Sequence, residues 1–451
     1  MGIIKSAAFF LGLVCTIFVS SIASARPNIL ILMTDDQRWD DLDLIMPQTK
    51  ALIFDQGRRF NKGYITTPAC CPSRACIFTG MYASQHKALT NGHYLQEKTI
   101  FEYLHGIYYQ GLIGKYLNTW NGQPRPEFDY WVSFKGGASR YIDPSLFVNS
   151  LSPEVVKGYI TDIFRDHALA FLDLAASQSK PFFLAVTFNA PHSPSTPLPQ
   201  DIGRYDHLPL QAVTFPNFLL SRQAKLAGNR PLWLRNKSLS IPEKERMLNQ
   251  ARRERECLAA VDRAVADIID RLRNIGKLDD TIIFFLSDNG LMRGEHNLRA
   301  KDTVYESAIK VPFAVRYPVL VAPAVDNENL VAGIDIVPTI YDLIEIEPHA
   351  GISGRSMLPI FTNVPAVFRE DLLLEGFRAL ADQSRVPFAA VHTGRYVYAI
   401  NRRIGNEPET ERIELYDLES DPYQLINVYT LSLIHISEPT RLLSISYAVF
   451  C

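Results

Sequence analysis

The feature that most restricts the fold of this chain is a set of short, uninterrupted apolar runs, each followed by polar or acidic residues. Asn28–Met33 reads NILILM, Phe182–Phe188 reads FFLAVTF, Ile282–Leu286 reads IIFFL and Val311–Val315 reads VPFAV. None alternates apolar with polar, so each predicts a strand covered on both faces. Between the runs lie stretches of helical period. One covers Thr161–Ala176. Another covers Arg255–Ile275, where Leu258, Val261, Val265, Ile268, Ile269 and Leu272 form one apolar stripe. Strand–helix alternation predicts an α/β fold, a large and mainly parallel sheet flanked by helices.

The first run gives way to Thr34-Asp35-Asp36, the second to Asn189-Ala190-Pro191-His192 and the third to Ser287-Asp288-Asn289-Gly290. One such ending could be a helix cap or a turn. Three at the carboxyl edge of one sheet, where open α/β sheets bind ligands, predict a site. Asp35, Asp36, Asp288 and Asn289 are hard oxygen donors, which suit Ca²⁺ or Mg²⁺ better than zinc. Crowded carboxylates repel unless a cation neutralises them, and a divalent ion there would draw an anionic substrate.

Composition narrows the function class. The chain has 451 residues, 21% charged, with a formal net charge of -2. That excludes a disordered polyelectrolyte and argues against a nucleic-acid coat protein. No apolar run in the body of the chain is long enough to span a bilayer. The N-terminus reads as a signal peptide, residues 1–25. Lys5 is followed by an apolar stretch from Ala7 to Val19 and an Ala23-x-Ala25 cleavage pattern, so export is expected. Residues 431–451 carry almost no charge, resemble translated sequencing-adaptor sequence, and are read as a non-native tail.

Segments Arg395–Ile400 and Ile413–Tyr416 predict a hairpin around a polar loop. They belong to a small antiparallel C-terminal subdomain, residues 368–430, expected to be cut short by the tail. The preceding domain spans 26–367. The stretch Arg222–Arg255 holds ten Lys or Arg and three Glu. It reads as a solvated helix–loop face, with polyanion binding as the alternative. Asn236-Lys237-Ser238 is a glycosylation sequon in a eukaryotic host.

Of six cysteines, Cys70, Cys71 and Cys76 cluster, while Cys15, Cys257 and Cys451 are scattered. So few do not make a disulfide scaffold, and the cluster lacks the C-x2-C pairs of zinc sites. Cys76 is either half of a disulfide or a core residue. Pro72 marks a helix start, which puts Cys70 near a helix N-terminus, where anions are favoured. The residues themselves lead to an activated or modified thiol beside an anion site.

The run from Cys70 to Gly80, CCPSRACIFTG, matches the pattern C-x-P-S-R-x-x-x-x-T-G and resembles the type I sulfatases. The resemblance extends from Pro27 to Asn427. It takes in Asp35-Asp36, Gly114-Lys115, Pro191-His192, Ser287-Asp288-Asn289-Gly290 and Lys301 before Tyr305-Glu306. Leu415-Tyr416-Asp417-Leu418 and Asp421-Pro422-Tyr423 also fit it.

The resemblance implies an alkaline-phosphatase-like fold. It implies that a formylglycine-generating enzyme converts Cys70 to formylglycine, whose hydrate is the nucleophile toward sulfur. Asp35, Asp36, Asp288 and Asn289 would hold Ca²⁺, with Mg²⁺ as the alternative, together with the oxygen at residue 70. Arg74 would anchor the hydrate. Lys115, His192 and Lys301 would bind sulfate, and His192 or Lys301 would protonate the leaving oxygen.

Two departures stand out. Phe78 replaces a usual Leu, and Leu117 sits where many members carry His. Gly114-Lys115-Tyr116-Leu117-Asn118 with the double Cys resembles the branch of N-acetylglucosamine-6-sulfatases and extracellular heparan sulfatases. A sulfated sugar is therefore the implied substrate. A phosphodiesterase or phosphonate monoester hydrolase of the same superfamily is a second reading, and a non-catalytic sulfoglycan-binding protein a third.

Overall fold

The structure, a computed structural model, describes residues 26–235, 237–362, 368–377, 386–402 and 412–429. The signal-peptide reading, the tail and Asn236 of the sequon lie outside them. A ten-stranded sheet contains β1 (Asn28–Asp35), β2 (Arg58–Phe60), β3 (Tyr109–Gly114), β4 (Tyr130–Ser133) and β5 (Ser145–Val148). It also contains β6 (Glu154–Val155), β7 (Phe182–Pro191), β8 (Thr281–Ser287), β9 (Phe313–Arg316) and β10 (Ala324–Asp326). Their order is β10-β2-β9-β8-β1-β7-β3-β4-β5-β6.

The centre, β8-β1-β7-β3-β4, is parallel throughout. The flanks are mixed, so the sheet is less uniformly parallel than the apolar runs suggest. The Val311–Val315 run becomes β9, antiparallel to β8. A parallel return needs a crossover, usually a long helix. Between β8 and β9 the only helix is the four-residue Glu306–Ile309.

Both faces of the central strands are buried. Ile29, Ile31 and Met33 of β1 join one core, with α1 (Cys70–Thr79) and residues of a later helix, Ile336–Leu343. Leu30 and Leu32 join the other, with α2 (Ile160–Ala176) and α3 (Ile241–Asn274). Strand periodicity sends successive side chains to opposite faces, which is why an unbroken apolar run is required. Each such burial contributes about 1.5–3 kcal/mol.

The helix expected over Arg255–Ile275 begins fourteen residues earlier. Ser240 and Glu243 form a capping box at its start, and Pro242 lies in the first turn. Its first half carries no apolar stripe, so periodicity missed it. The basic stretch is also less solvated than expected, because Lys225, Arg230 and Arg255 are buried.

A second sheet of four antiparallel strands holds β11 (Leu372–Gly376), β12 (Phe388–His392), β13 (Tyr396–Asn401) and β14 (Ile413–Asp417). The expected hairpin is β13–β14. Phe388, Val397 and Tyr416 pack into the same core as α1. Among the described residues no helix is long and apolar enough to cross a membrane.

Candidate active site

The carboxyl ends of β1, β7 and β8 converge on the N-terminus of α1. Asp35 is the last residue of β1, where the register with β7 shifts. Asp36 then adopts a left-handed φ of 71°, a strained conformation for a residue with a Cβ. Asp288 and Asn289 follow β8. The nearest carboxylate oxygens of Asp35, Asp36 and Asp288 lie within 4.8 Å of one another.

Cys70 is the first residue of α1, after an extended N-cap at Ala69 that offers no side-chain cap. The Cys71 N–H donates to Asn91 Oδ1 at 2.9 Å and Pro72 has no N–H, so what reaches Cys70 is the positive end of the helix dipole. The helix begins two residues before Pro72 and ends on Gly80, which takes the left-handed conformation and donates to the Cys76 carbonyl at 2.8 Å. The signature run is thus one whole buried helix.

The Cys70 Sγ lies 3.7 Å from Asp35 Oδ1 and 2.7 Å from Lys301 Nζ. Lys301 also binds Asp36. Lys115 Nζ reaches Asp35 Oδ2 at 2.6 Å. Arg74 donates from Nε to Asp288 Oδ2 and from Nη1 to the Lys115 carbonyl, both at 2.7 Å. His192 Nε2 stands 3.9 Å from Asp36 Oδ2. Its Nδ1 lies 2.7 Å from the Ser193 carbonyl, which can only accept, so Nδ1 carries a proton and Nε2 faces the site. Arg74 and Lys115, either of which could have been a surface charge, are fully buried.

The electrostatics are unbalanced among the carboxylates. Burial raises the pKa of Asp35, but Lys115, His192, Arg74 and Lys301 outweigh it and hold the group below the usual range. At Asp36 burial is likewise overcome, by Lys301 and His192. Asp288 moves the other way, pushed up by burial and by the charge of Asp35. Burial opposes the charge on His192, yet Asp35 and Asp36 raise it to about 9.

The donor set fits a hard cation. Asn289 Nδ2 donates to Asp36 Oδ1 at 2.6 Å and to the Gly290 carbonyl at 2.9 Å, while its buried Oδ1 has no partner. An unpaired amide oxygen beside three carboxylates is what an oxygen-seeking ion would use.

Comparison with known proteins gives the family. The family model described as Sulfatase matches residues 27–346. The chain belongs to the sulfatase family. A second family model, N-sulphoglucosamine sulphohydrolase, C-terminal, matches residues 294–436. Human N-acetylglucosamine-6-sulfatase is 32% identical over 80% of this chain and 69% of its own length. The extracellular sulfatase SULF-1 homolog of Drosophila melanogaster is 31% identical over 78% of this chain. This chain spans only 33% of that relative's length. A solved structure of a protein with its substrate D-glucosamine-2-N,6-O-disulfate superposes with a TM-score of 0.77 at 22% identity. It covers 94% of this chain and 97% of its own.

Within this family framework, several supporting residues had no reading in the sequence. Ser73 Oγ donates to the Asp288 carbonyl. Tyr141 donates its hydroxyl to the His192 carbonyl at 2.7 Å, and Thr187 Oγ1 donates to the Lys115 carbonyl at 2.7 Å. Ser73 lies inside the signature, which was its signal; Tyr141 and Thr187 had none. Gly114 adopts φ 118°, and a Cβ there would stand 1.9 Å from the Thr187 carbonyl oxygen. That close approach is why glycine precedes Lys115.

The four described cysteines are free. Cys76 is in no disulfide; it is buried, with its Sγ 3.2 Å from His86 Nε2. Leu117 packs into the core beside α1 and brings no polar group to the site.

Proposed function

We propose that the protein hydrolyses sulfate esters of a sulfated sugar, with residue 70, converted to formylglycine, as nucleophile. One observation carries the reading. Cys70 sits at the positive end of α1, and Arg74, Lys115, His192 and Lys301 surround it with the Asp35, Asp36 and Asp288 carboxylates. The similarity to N-acetylglucosamine-6-sulfatases points to an N-acetylglucosamine 6-sulfate unit of a glycosaminoglycan as substrate. A leader with an A-x-A site and relatives named extracellular support export.

Asp35, Asp36, Asp288 and Asn289 would hold the divalent cation, Ca²⁺ or Mg²⁺. When bound, it supplies positive charge that draws the sulfate and favours the ionised nucleophile. The hydrated aldehyde at residue 70 supplies one hydroxyl to attack sulfur and a second whose deprotonation lets sulfate leave.

The chain's own groups do the rest. Lys115, Lys301 and protonated His192 balance the negative charge that builds on the transferring group. His192 Nε2, with Nδ1 fixed by the Ser193 carbonyl, is placed to give its proton to the departing sugar oxygen. The carbonyl of Lys115 and the carboxylate of Asp288 orient Arg74 toward residue 70.

The test is to co-express the protein with a formylglycine-generating enzyme. The mass of the peptide carrying Cys70 is measured, and kcat/KM is compared on N-acetylglucosamine 6-sulfate and on a phosphodiester. Conversion at Cys70 with sulfate turnover that falls in EGTA and returns with Ca²⁺ is expected. Fast phosphodiester turnover with no sulfate turnover would move the chain to the phosphodiesterase reading. Sugar binding with neither turnover would make it a binding protein.

A further inference from the structure

A second cavity, of about 270 Å³, lies where the loop after β1 and the segment Tyr305–Lys310 meet the turn after β14. None of Asp35, Asp36, Cys70, Lys115, His192 or Lys301 lines it. Its wall holds two buried amides, each half satisfied. Asn217, 5% exposed, donates from Nδ2 to the Tyr423 carbonyl at 3.0 Å, and its Oδ1 has no partner. Gln424, 1% exposed, accepts on Oε1 from the Glu306 N–H at 2.9 Å, and its Nε2 has no partner. Those two contacts fix which way each amide faces, because a carbonyl only accepts and a backbone N–H only donates. The wall therefore holds one unpaired acceptor and one unpaired donor. Leaving such groups buried and unmet costs about 1–3 kcal/mol each.

The rest of the wall is aromatic and cationic. Trp39, Phe215 and Tyr423 line it, with the last two rings 5.1 Å apart. Lys310 Nζ lies 4.4 Å from the Trp39 ring centre and 3.8 Å from the Glu306 carboxylate, so this cation is already neutralised. Lys62 also lines the cavity, beside Gly394, and no carboxylate among the described residues pairs with it. Trp39 is held firmly. The preceding Arg38 is buried and binds Asp40, the Leu291 carbonyl and Glu295.

Flat apolar rings suit the C–H face of a sugar ring, an amide donor and acceptor suit its hydroxyls, and one free ammonium suits one anionic substituent. We infer that this cavity is a second saccharide site, taking a pyranose that carries one carboxylate or one sulfate. The inference goes beyond turnover at residue 70 and does not require it.

Calorimetric titration of the full chain, expressed without a maturation enzyme so that no ester is consumed, tests it. The probes are glucuronate, N-acetylglucosamine 6-sulfate and uncharged N-acetylglucosamine. Saturable millimolar binding of one or both anionic probes is expected. Lys62→Ala should raise Kd about tenfold, which corresponds to 1.4 kcal/mol, and Gln424→Leu should raise it in the same direction. Binding weakened by Lys62→Ala and Gln424→Leu belongs to this cavity, whereas binding weakened by Lys115→Ala belongs to the sulfate site around residue 70. The two anionic arms tell carboxylate from sulfate.

Absence of saturable binding would overturn the inference. So would equal binding of the uncharged sugar, or binding that survives Lys62→Ala and Gln424→Leu but is lost in Lys115→Ala. Unchanged thermal midpoints in the variants keep the comparison valid. Binding without sulfate turnover in the converted protein would sink the proposed function alone. Turnover without this binding would sink the second site alone.

Discussion

Two clusters of buried charge lie on either side of Gln37, and they are built differently. On one side Asp35, Asp36 and Asp288 meet Lys115, Lys301, His192 and Arg74 around the Cys70 sulfur. On the other, the cations that Asp40, Asp41, Glu254 and Glu295 meet are all guanidinium groups. Arg38 binds Asp40 at 2.6 Å and Glu295 at 2.7 Å. Arg255 and Arg293 clasp the two oxygens of Asp41 at 2.8 and 2.6 Å, and Arg293 also binds Glu254. Arginine is a planar fork that fixes geometry, whereas lysine and histidine are charges that can turn toward a new partner or give up a proton. The first cluster has a thiol at its centre and an unpaired Asn289 oxygen; the second ties the loop after β1 to α3 and to the segment after β8. Under the proposed function the first takes an ion and a substrate, and the second braces the segment that carries Asp35 and Asp36.

The sharpest test of this contrast is Cys70→Ala in the first cluster. Turnover of a sulfate ester should fall at least about 10³-fold, while stability changes by less than about 1 kcal/mol. A variant that keeps its rate, assayed after confirmed conversion of the parent, would remove residue 70 from the chemistry.

Arg293→Met in the second cluster should do the reverse. It strands Glu254 in a buried setting and leaves Asp41 with Arg255 alone, and should cost about 3–5 kcal/mol in denaturant unfolding. An unchanged midpoint would mean that the second cluster does not brace the fold.

The smallest effect separates the clusters by pH. In metal-free protein kept in EGTA, His192 has a folded pKa of about 9, above its usual 6.5. Its raised pKa therefore stabilises the fold fully below pH 6.5, and that contribution is lost as pH rises through 9. The stability gap between wild type and His192→Gln should be at most about 3 kcal/mol and should close over that window. A gap that stays constant from pH 6 to 10 would show that His192 is not held by Asp35 and Asp36.

How much of this was legible beforehand differs by element. The four apolar runs marked β1, β7, β8 and β9, because a strand buried on both faces leaves no other composition open. They did not reveal that β9 runs antiparallel, since direction depends on the connection rather than on the strand. The 34-residue length of α3 was hidden because its first half shows no apolar stripe. The positions that the strand ends and the signature singled out, Asp35, Asp36, Cys70, Arg74, His192, Asp288 and Asn289, come to one place, together with Lys115 and Lys301, which only the family resemblance had marked. Tyr141 and Thr187, which bond to backbone carbonyls of that place, carry no local pattern. Nor does the Arg38–Asp41–Arg255–Arg293 cluster, whose members are spread across more than 250 positions.

The sequence by itself determined the sheet's core strands, the helix that carries Cys70 and the donor types at the strand ends. These follow from local periodicity, from a fixed run of residues and from the chemistry of single side chains. Only the tertiary structure decided which carboxylate meets which cation, that Asp288 is raised while Asp35 is lowered, and that two half-satisfied amides line a cavity beside Trp39. Those outcomes depend on distances between residues far apart in the chain and on how far each is taken out of water, and neither is fixed until the layers have packed.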